Sequence, residues 1–302
     1  MSTSADRPSN GTLRERFIDT PEGACRVRIL GTGPPVLCLH GVSAQGRSWL
    51  AVARRLADRA TFLLPDLIGR GGSDAFPGGS FTLEDEADRI EAIMDALRAH
   101  GDVDGAGRAG ARLPPVIAGH SQGAALALAL AARDPGVVGL LLSNPVTPWT
   151  RRPAVLDVLR SGLMRKVVAG MFSPLRGPLA TVIIRRAAGP GFRPPRELVR
   201  GYAEPYADVR RARTLMALLR DWQPNELAEH IPTERIIARV VTGALDPRID
   251  PRAAERLANE MGGRITVVED GGHILPEQHP DLLADELGRV FEAVREAGSE
   301  RH

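Results

Sequence analysis

The sequence predicts an α/β protein: a mostly parallel sheet of eight strands with an antiparallel edge, flanked by helices and interrupted by an inserted helical segment. Three observations carry that expectation. Short apolar runs alternate with amphipathic helical stretches, the pattern of parallel strands joined by helical crossovers. The turn signal Pro21-Glu22-Gly23 separates two strand-like runs that read as a hairpin. The alternation also stops between Thr147 and His230, then resumes for two more strands.

Taken in order, Glu15–Thr20 and Ala24–Leu30 form the opening hairpin. Pro35–Leu39 is a continuous apolar run, as expected of a strand buried on both faces. Trp49, Leu50, Val52, Ala53 and Leu56 recur at helical spacing, and Ala60–Leu64 is the next strand. Thr82 and Asp85 resemble a capping box ahead of the stripe Leu83, Ala87, Ile90, Met94 and Leu97. Gly101–Arg112, rich in Gly, Ala and Arg, reads as a surface loop. A strand at Pro115–Ala118 leads through Ser121 into a small-residue helix, Ala124–Arg133, followed by a strand at Val137–Leu142. After the interruption come strands Arg235–Val241 and Arg264–Val268, with helix Pro251–Met261 between them and an amphipathic helix from Leu282 to Val294 at the end. The expected organisation is therefore a polar, disordered tail over 1–13, a core of 14–146 and 231–298, an inserted helical cap over 147–230, and a short tail at 299–302. Helical patterns at Val155–Phe172 and Glu197–Leu219, punctuated by prolines 174, 178, 190, 194 and 195, fill the insertion.

Composition bounds the function. The chain has 302 residues, 43% of them hydrophobic, which is enough for a core without disulfide or metal staples. Two cysteines, Cys25 and Cys38, exclude a disulfide framework and a cysteine-rich zinc site. The first residues lack a basic-then-apolar signal pattern, and no apolar run approaches the roughly 18–20 residues of a membrane span, so the expectation is a cytoplasmic protein without stable membrane insertion. The net charge of +2 conceals an uneven distribution. Arg151 to Arg220 carries 15 basic and four acidic residues, against 24 basic and 33 acidic in the remainder. Nucleic-acid binding does not follow from those arginines, because aromatics are only 4% of the chain and no recognition motif accompanies them.

Gly119-His120-Ser121-Gln122-Gly123 fits G-x-S-x-G in the required setting, an apolar strand before it and an apolar helix after it. The glycines permit the sharp turn that exposes a serine hydroxyl, and the helix N-terminus sets backbone donors beside it. A serine nucleophile needs a base, and the base an orienting acid. Among seven histidines, His273 follows a strand directly in Glu269-Asp270-Gly271-Gly272-His273 and is the favoured base, with His279 and His230 as rivals. His40 and His120 lie in glycine-flanked turns, His100 ends a helix and His302 ends the chain. Asp246, in Thr242-Gly243-Ala244-Leu245-Asp246 at the carboxyl end of a strand, is the favoured acid; Asp250 is nearby but reads as the cap before Pro251. The order Ser121, Asp246, His273 is one of the known triad orders.

These residues, with Leu39-His40-Gly41 and the loop Asp66-Leu67-Ile68-Gly69-Arg70-Gly71-Gly72-Ser73-Asp74, resemble the α/β-hydrolase superfamily over nearly the whole chain except the insertion. The resemblance implies an oxyanion hole from the backbone N–H groups of Val42 and Gln122, and no cofactor and no metal. It implies a shaping role for the Asp66–Asp74 loop, with Asp66 hydrogen-bonding the backbone. Two departures stand out: Gly123 is followed by Ala124 where many relatives have a second glycine, and Asn144 occupies the position after the sixth strand where some relatives carry an alternative acid. A serine at 121 in place of aspartate argues against haloalkane dehalogenase and epoxide hydrolase chemistry.

The expected function is a serine hydrolase of a carboxylic ester or related acyl compound, working through an acyl-enzyme. C–C bond hydrolysis or acyl transfer on the same residues, and a ligand-binding protein on a hydrolase scaffold, are the rivals. The expected partner is a small-molecule acyl substrate for a monomer or homodimer. An apolar acyl pocket whose mouth attracts an anionic group is among the roles open to the insertion, beside ordinary packing and transient contact with an anionic membrane surface.

Overall fold

A computed structural model describes residues 11–103, 112–172, 176–206, 209–232 and 236–299. The expected tail over 1–13, the loop Gly101–Arg112 and the tail at 299–302 lie mostly outside these residues, as does Arg235, the expected start of the seventh strand.

Eight strands form one sheet: β1 (Arg14–Thr20), β2 (Gly23–Gly31), β3 (Pro35–Leu39), β4 (Thr61–Pro65), β5 (Val116–His120), β6 (Gly139–Ser143), β7 (Ile237–Gly243) and β8 (Arg264–Val268). Their order is β1-β2-β4-β3-β5-β6-β7-β8. The expected hairpin is present, with Ile18 opposite Cys25, and β2 also runs antiparallel to β4. All other pairings are parallel. The central strands β3, β5 and β6 are buried at every position, which explains their unbroken apolar character.

Strand alternation divides the core between the two faces. Leu37, Leu39, Ile117 and Leu142 pack with α2 (Leu83–Ala99), α3 (Gln122–Arg133) and α8 (Pro251–Glu260). Val36, Cys38, Ala118 and Leu141 pack with α1 (Leu50–Arg55), α9 (Leu275–Gln278) and α10 (Pro280–Ser299). A one-residue slip of register would exchange these two sets. The Thr82–Asp85 capping box opens α2 with both reciprocal hydrogen bonds, and Asp250 caps α8 by accepting from Arg252 N–H at 2.9 Å.

Between β6 and β7 the chain forms α4 (Gly162–Phe172), α5 (Arg176–Ala188), α6 (Arg196–Ala203) and α7 (Val209–Asp221), with 3-10 turns at Ala154–Arg160, Glu204–Tyr206 and Pro224–His230. Two features differ from the sequence expectation. The first long helical pattern is broken at Ser161 into a 3-10 turn and α4, and the second is divided around Pro205 into α6, a 3-10 turn and α7. Pro178 does not interrupt a helix: it is the third residue of α5, where a proline removes no intrahelical hydrogen bond. Ile184, Ala187 and Ala188 of α5 and Tyr202 of α6 pack with Ala44 and Ile274 of the sheet body, so the insertion is joined to the core by apolar contact. Among the described residues, no helix is long and apolar enough to cross a membrane.

Candidate active site

Ser121 stands between β5 and α3 with φ 55° and ψ −115°, a backbone region that a side-chain-bearing residue adopts only when its surroundings enforce it. The enforcing contacts explain the flanking glycines. A Cβ on Gly119 would lie 2.4 Å from the carbonyl oxygen of Gly123, and one on Gly123 would lie 2.2 Å from that of Leu39. The turn is thus wedged against both its own helix and the neighbouring strand.

His273 follows β8 and bridges the other two residues. Its Nε2 is 3.0 Å from Ser121 Oγ, and its Nδ1 is 2.7 Å from Asp246 Oδ2. Asp246 Oδ1 accepts from the backbone N–H groups of Arg248 at 2.7 Å and Ile249 at 3.1 Å. Burial alone would push the Asp246 carboxyl up, but His273 and these donors hold it below the usual carboxylate range. An ionised Asp246 keeps the proton on His273 Nδ1 and leaves Nε2 free to accept from the serine.

The rival residues lie elsewhere. His230 Nε2 pairs with Glu84 Oε1 at 3.1 Å, His279 is 3.7 Å from Asp270 Oδ1, and Asp250 is occupied as a helix cap. His40 and His120 are fixed by backbone partners. His40 Nδ1 donates to the carbonyl of Gly41 at 2.7 Å while Nε2 accepts from Leu67 N–H at 3.0 Å. His120 Nε2 donates to the carbonyl of His273 at 2.6 Å. Burial first, and then the neighbouring Arg70 for His40 and His273 for His120, push these two imidazoles down to about 4 and about 3. Both are neutral brackets: one joins the Gly41 turn to the Asp66 loop, the other joins the serine turn to the histidine loop.

Asp66 is the anchor of its loop. It accepts from Gly46 N–H at 2.8 Å, Gly72 N–H at 2.7 Å, Arg28 at 2.9 Å, and Arg26 at 2.6 Å. Burial would raise its carboxyl, but the two guanidiniums and the Gly72 donor hold it below the usual range. The sequence anticipates the backbone bonds but not the two arginines, which come from β2.

Val42 and Gln122 flank the serine. Gln122 is the first residue of α3, so its N–H has no intrahelical acceptor. Among the described residues, neither amide donates to a protein acceptor.

Two features escape sequence reasoning. Asn144, just past β6, adopts φ 43° and donates from Nδ2 to Asp246 Oδ2 at 2.6 Å and to the Gly272 carbonyl at 3.2 Å. The positive φ is common for asparagine, but its partner is far away in sequence. The end of α5 also holds the histidine loop: His273 N–H donates to the Ala187 carbonyl at 2.6 Å, and Gln278 Nε2 donates to the Ala188 carbonyl at 3.0 Å.

Above the serine lies a cavity of about 470 Å³, lined by Val42, His273 and Ile249 from the core and by Ile183, Tyr206 and Leu219 from the insertion. A larger cavity of about 820 Å³ sits at the opposite, amino ends of the strands, beside Pro35, Val116 and Phe291. It contains none of the candidate residues, and the smaller one is the site of interest. Among the described residues, no cluster of His, Cys, Asp or Glu has the makings of a metal site.

A sheet of this order with a serine turn at a strand's carboxyl end defines a class of α/β enzymes in which the loops carry the chemistry. The chain belongs to the alpha/beta hydrolase family, whose model matches residues 36–286. It is 26% identical over 283 residues to an uncharacterized protein of Mycobacterium tuberculosis, covering 89% of this chain and 79% of the relative. It is 26% identical over 266 residues to a pimeloyl-[acyl-carrier protein] methyl ester esterase of Stenotrophomonas maltophilia, covering 86% and 94% respectively. In fold it is similar to an alpha/beta hydrolase fold protein from Burkholderia ambifaria, with a TM-score of 0.76 at 20% identity over 90% of this chain and 96% of the other. Membership and the hydrolase names among its relatives make the protein an enzyme of hydrolase type.

Proposed function

We propose that the protein hydrolyses a carboxylic ester through an acyl-enzyme formed on Ser121. The observation that carries this reading is the hydrogen-bond chain Ser121–His273–Asp246 at the floor of a cavity large enough for a small acyl compound. His273 Nε2 takes the proton of Ser121 Oγ as the oxygen attacks the substrate carbonyl, and Asp246 stabilises the imidazolium without itself taking the proton. The N–H groups of Val42 and Gln122 donate to the oxyanion as charge develops there, an interaction whose loss typically costs about 3–4 kcal/mol per donor. His273 then gives its proton to the departing alkoxide. In the second half, water loses a proton to the same nitrogen, attacks the acyl carbon, and releases the acid and Ser121. The helices between β6 and β7 act as a cap that sets which acyl group enters.

The ester reading draws further support from the methyl ester esterase among the relatives. The test uses short-chain p-nitrophenyl esters together with a fluorophosphonate probe. Wild-type protein should turn over the ester and be labelled at Ser121, and Ser121→Ala should do neither. Equal hydrolysis by Ser121→Ala, or labelling at another residue, overturns the assignment.

A further inference from the structure

The cavity above Ser121 has an unbalanced charge. Among the described residues, its lining includes two guanidiniums, Arg151 at the entry to the insertion and Arg248 on the loop after β7, and no carboxylate side chain. Both arginines are exposed, and among the described residues neither has an ion pair or a side-chain hydrogen bond, unlike Arg152, whose guanidinium is paired with Asp157. Several core arginines are neutralised by nearby acids, Arg26, Arg28 and Arg70 among them, whereas these two guanidiniums border the cavity. Arg248 also reaches inward. Burial pushes the phenols of Tyr202 and Tyr206 up, and the Arg248 charge acts against that shift in both. Both tyrosines line the same cavity, so the guanidinium field extends over its wall. A guanidinium is permanently charged and presents planar donors suited to a carboxylate or phosphate.

We propose that Arg151 and Arg248 form an anion subsite at the mouth of the cavity, and that the substrate is an ester bearing a second, anionic group. Resting on the ester reading above, this deepens it from an ester in general to an anionic ester. The reacting carbonyl sits over Ser121 against the apolar lining, while the remote carboxylate or phosphate meets the two guanidiniums. Arg248 lies two residues beyond Asp246, whose carboxylate holds the Arg248 N–H at 2.7 Å. The triad acid therefore fixes the backbone from which the anion receptor projects. Arg248 and Arg151 are specificity residues, with no part in proton transfer.

The experiment compares isosteric ester pairs at low ionic strength. On the acyl side the pair is p-nitrophenyl hemiglutarate and p-nitrophenyl valerate; on the alcohol side it is 4-carboxyphenyl acetate and 4-carbamoylphenyl acetate. The anionic member of one pair should be favoured in kcat/KM by roughly tenfold or more, as expected for a charge-assisted contact. The pair that responds identifies the side on which the anion sits. The preference should shrink as salt is raised and fall about tenfold in R151Q/R248Q, whereas R186Q, on the outer face of α5, should leave the ratio unchanged. Calorimetric binding of monomethyl glutarate and methyl valerate to Ser121→Ala reads the subsite without turnover, so loss of ester hydrolysis and loss of the anion preference are separate results. Absence of an anion preference in both ester pairs, or a preference that survives in R151Q/R248Q, overturns the subsite.

Discussion

Replacing Asn144 by glycine is the sharpest test of how the proposed triad is held. Asp246 has four donors: Arg248 and Ile249 N–H on Oδ1, and His273 Nδ1 and Asn144 Nδ2 on Oδ2. The Asn144 bond, at 2.6 Å, shares its acceptor oxygen with the His273 imidazole and so bears directly on the orientation of that oxygen. A hydrogen bond to a charged group contributes about 1.5–3 kcal/mol. Expressed fully in the barrier, its loss lowers kcat by roughly 10- to 150-fold. KM should change little, because Asn144 is a positioning residue buried away from the cavity. Glycine is the right replacement because it accepts the φ of 43° without steric cost. Asn144→Ala adds a backbone strain of about 1–2 kcal/mol, visible as lost stability in urea on top of the kinetic effect. Asn144→Asp places a second carboxyl against Asp246, where two like charges cannot both persist. One of them holds a proton at neutral pH, and the acid limb of the pH–rate profile should move upward. A folded Asn144→Gly with kcat within twofold of wild type would show that this bond does not position Asp246.

Three further outcomes are expected. Asp66→Asn removes the counter-charge of Arg26 and leaves the buried Arg28 with Glu15 alone, and should cost about 3 kcal/mol in urea unfolding, with the midpoint falling and the slope unchanged; a loss below 1 kcal/mol contradicts the anchoring role. Between about pH 6.5 and 4 the unfolded chain protonates His40 and His120 while the fold keeps both neutral, so these residues make stability fall with pH by up to about 2.7 kcal/mol per pH unit. Glu277, pushed up to about 7 by burial, keeps its proton in the fold over the same range and offsets one of the two. The net slope should be near 1.4 kcal/mol per unit and steepen in Glu277→Gln; a flat urea midpoint in both proteins rejects the account. Burial pushes the Cys25 thiol up to about 12 and Cys38 further still, so Ellman's reagent should find no reactive thiol in the native protein and two after denaturation.

What the sequence shows of this site depends on how far each residue's role is local. Ser121 is legible because the strand before it, the helix after it and the glycines beside it are contiguous, and all of them serve the one strained turn. The sheet is legible because β3, β5 and β6 are buried on both faces and carry no polar interruption. Asn144 is not legible in the same way. Its bond to Asp246 exists because β6 and β7 are neighbours in the sheet, a fact absent from either stretch alone. The arginine partners of Asp66 come from β2 for the same reason. In the insertion the limits are different: Pro178 looks like a helix breaker until its place in the first turn of α5 is known, and the 3-10 turns Ala154–Arg160 and Glu204–Tyr206 both lie against α7, a contact neither stretch reveals alone.

The carbonyls of Ala187 and Ala188 give the insertion a second duty. One end of α5 lines the cavity with Ile183 and Ala187, where the proposed cap would meet the acyl group, and the same end suspends the loop that carries His273. Substrate choice and turnover are therefore mechanically joined, and the insertion is not an exchangeable part. A chimera that takes these helices from a relative inherits that relative's pocket, but it also inherits a new height and tilt for the imidazole. Its rate on even the smallest ester should depend on how faithfully the graft reproduces two carbonyl positions. For engineering, the seam at the end of α5 is the place to preserve, and Leu219 of α7, elsewhere on the cavity wall, is the place to vary.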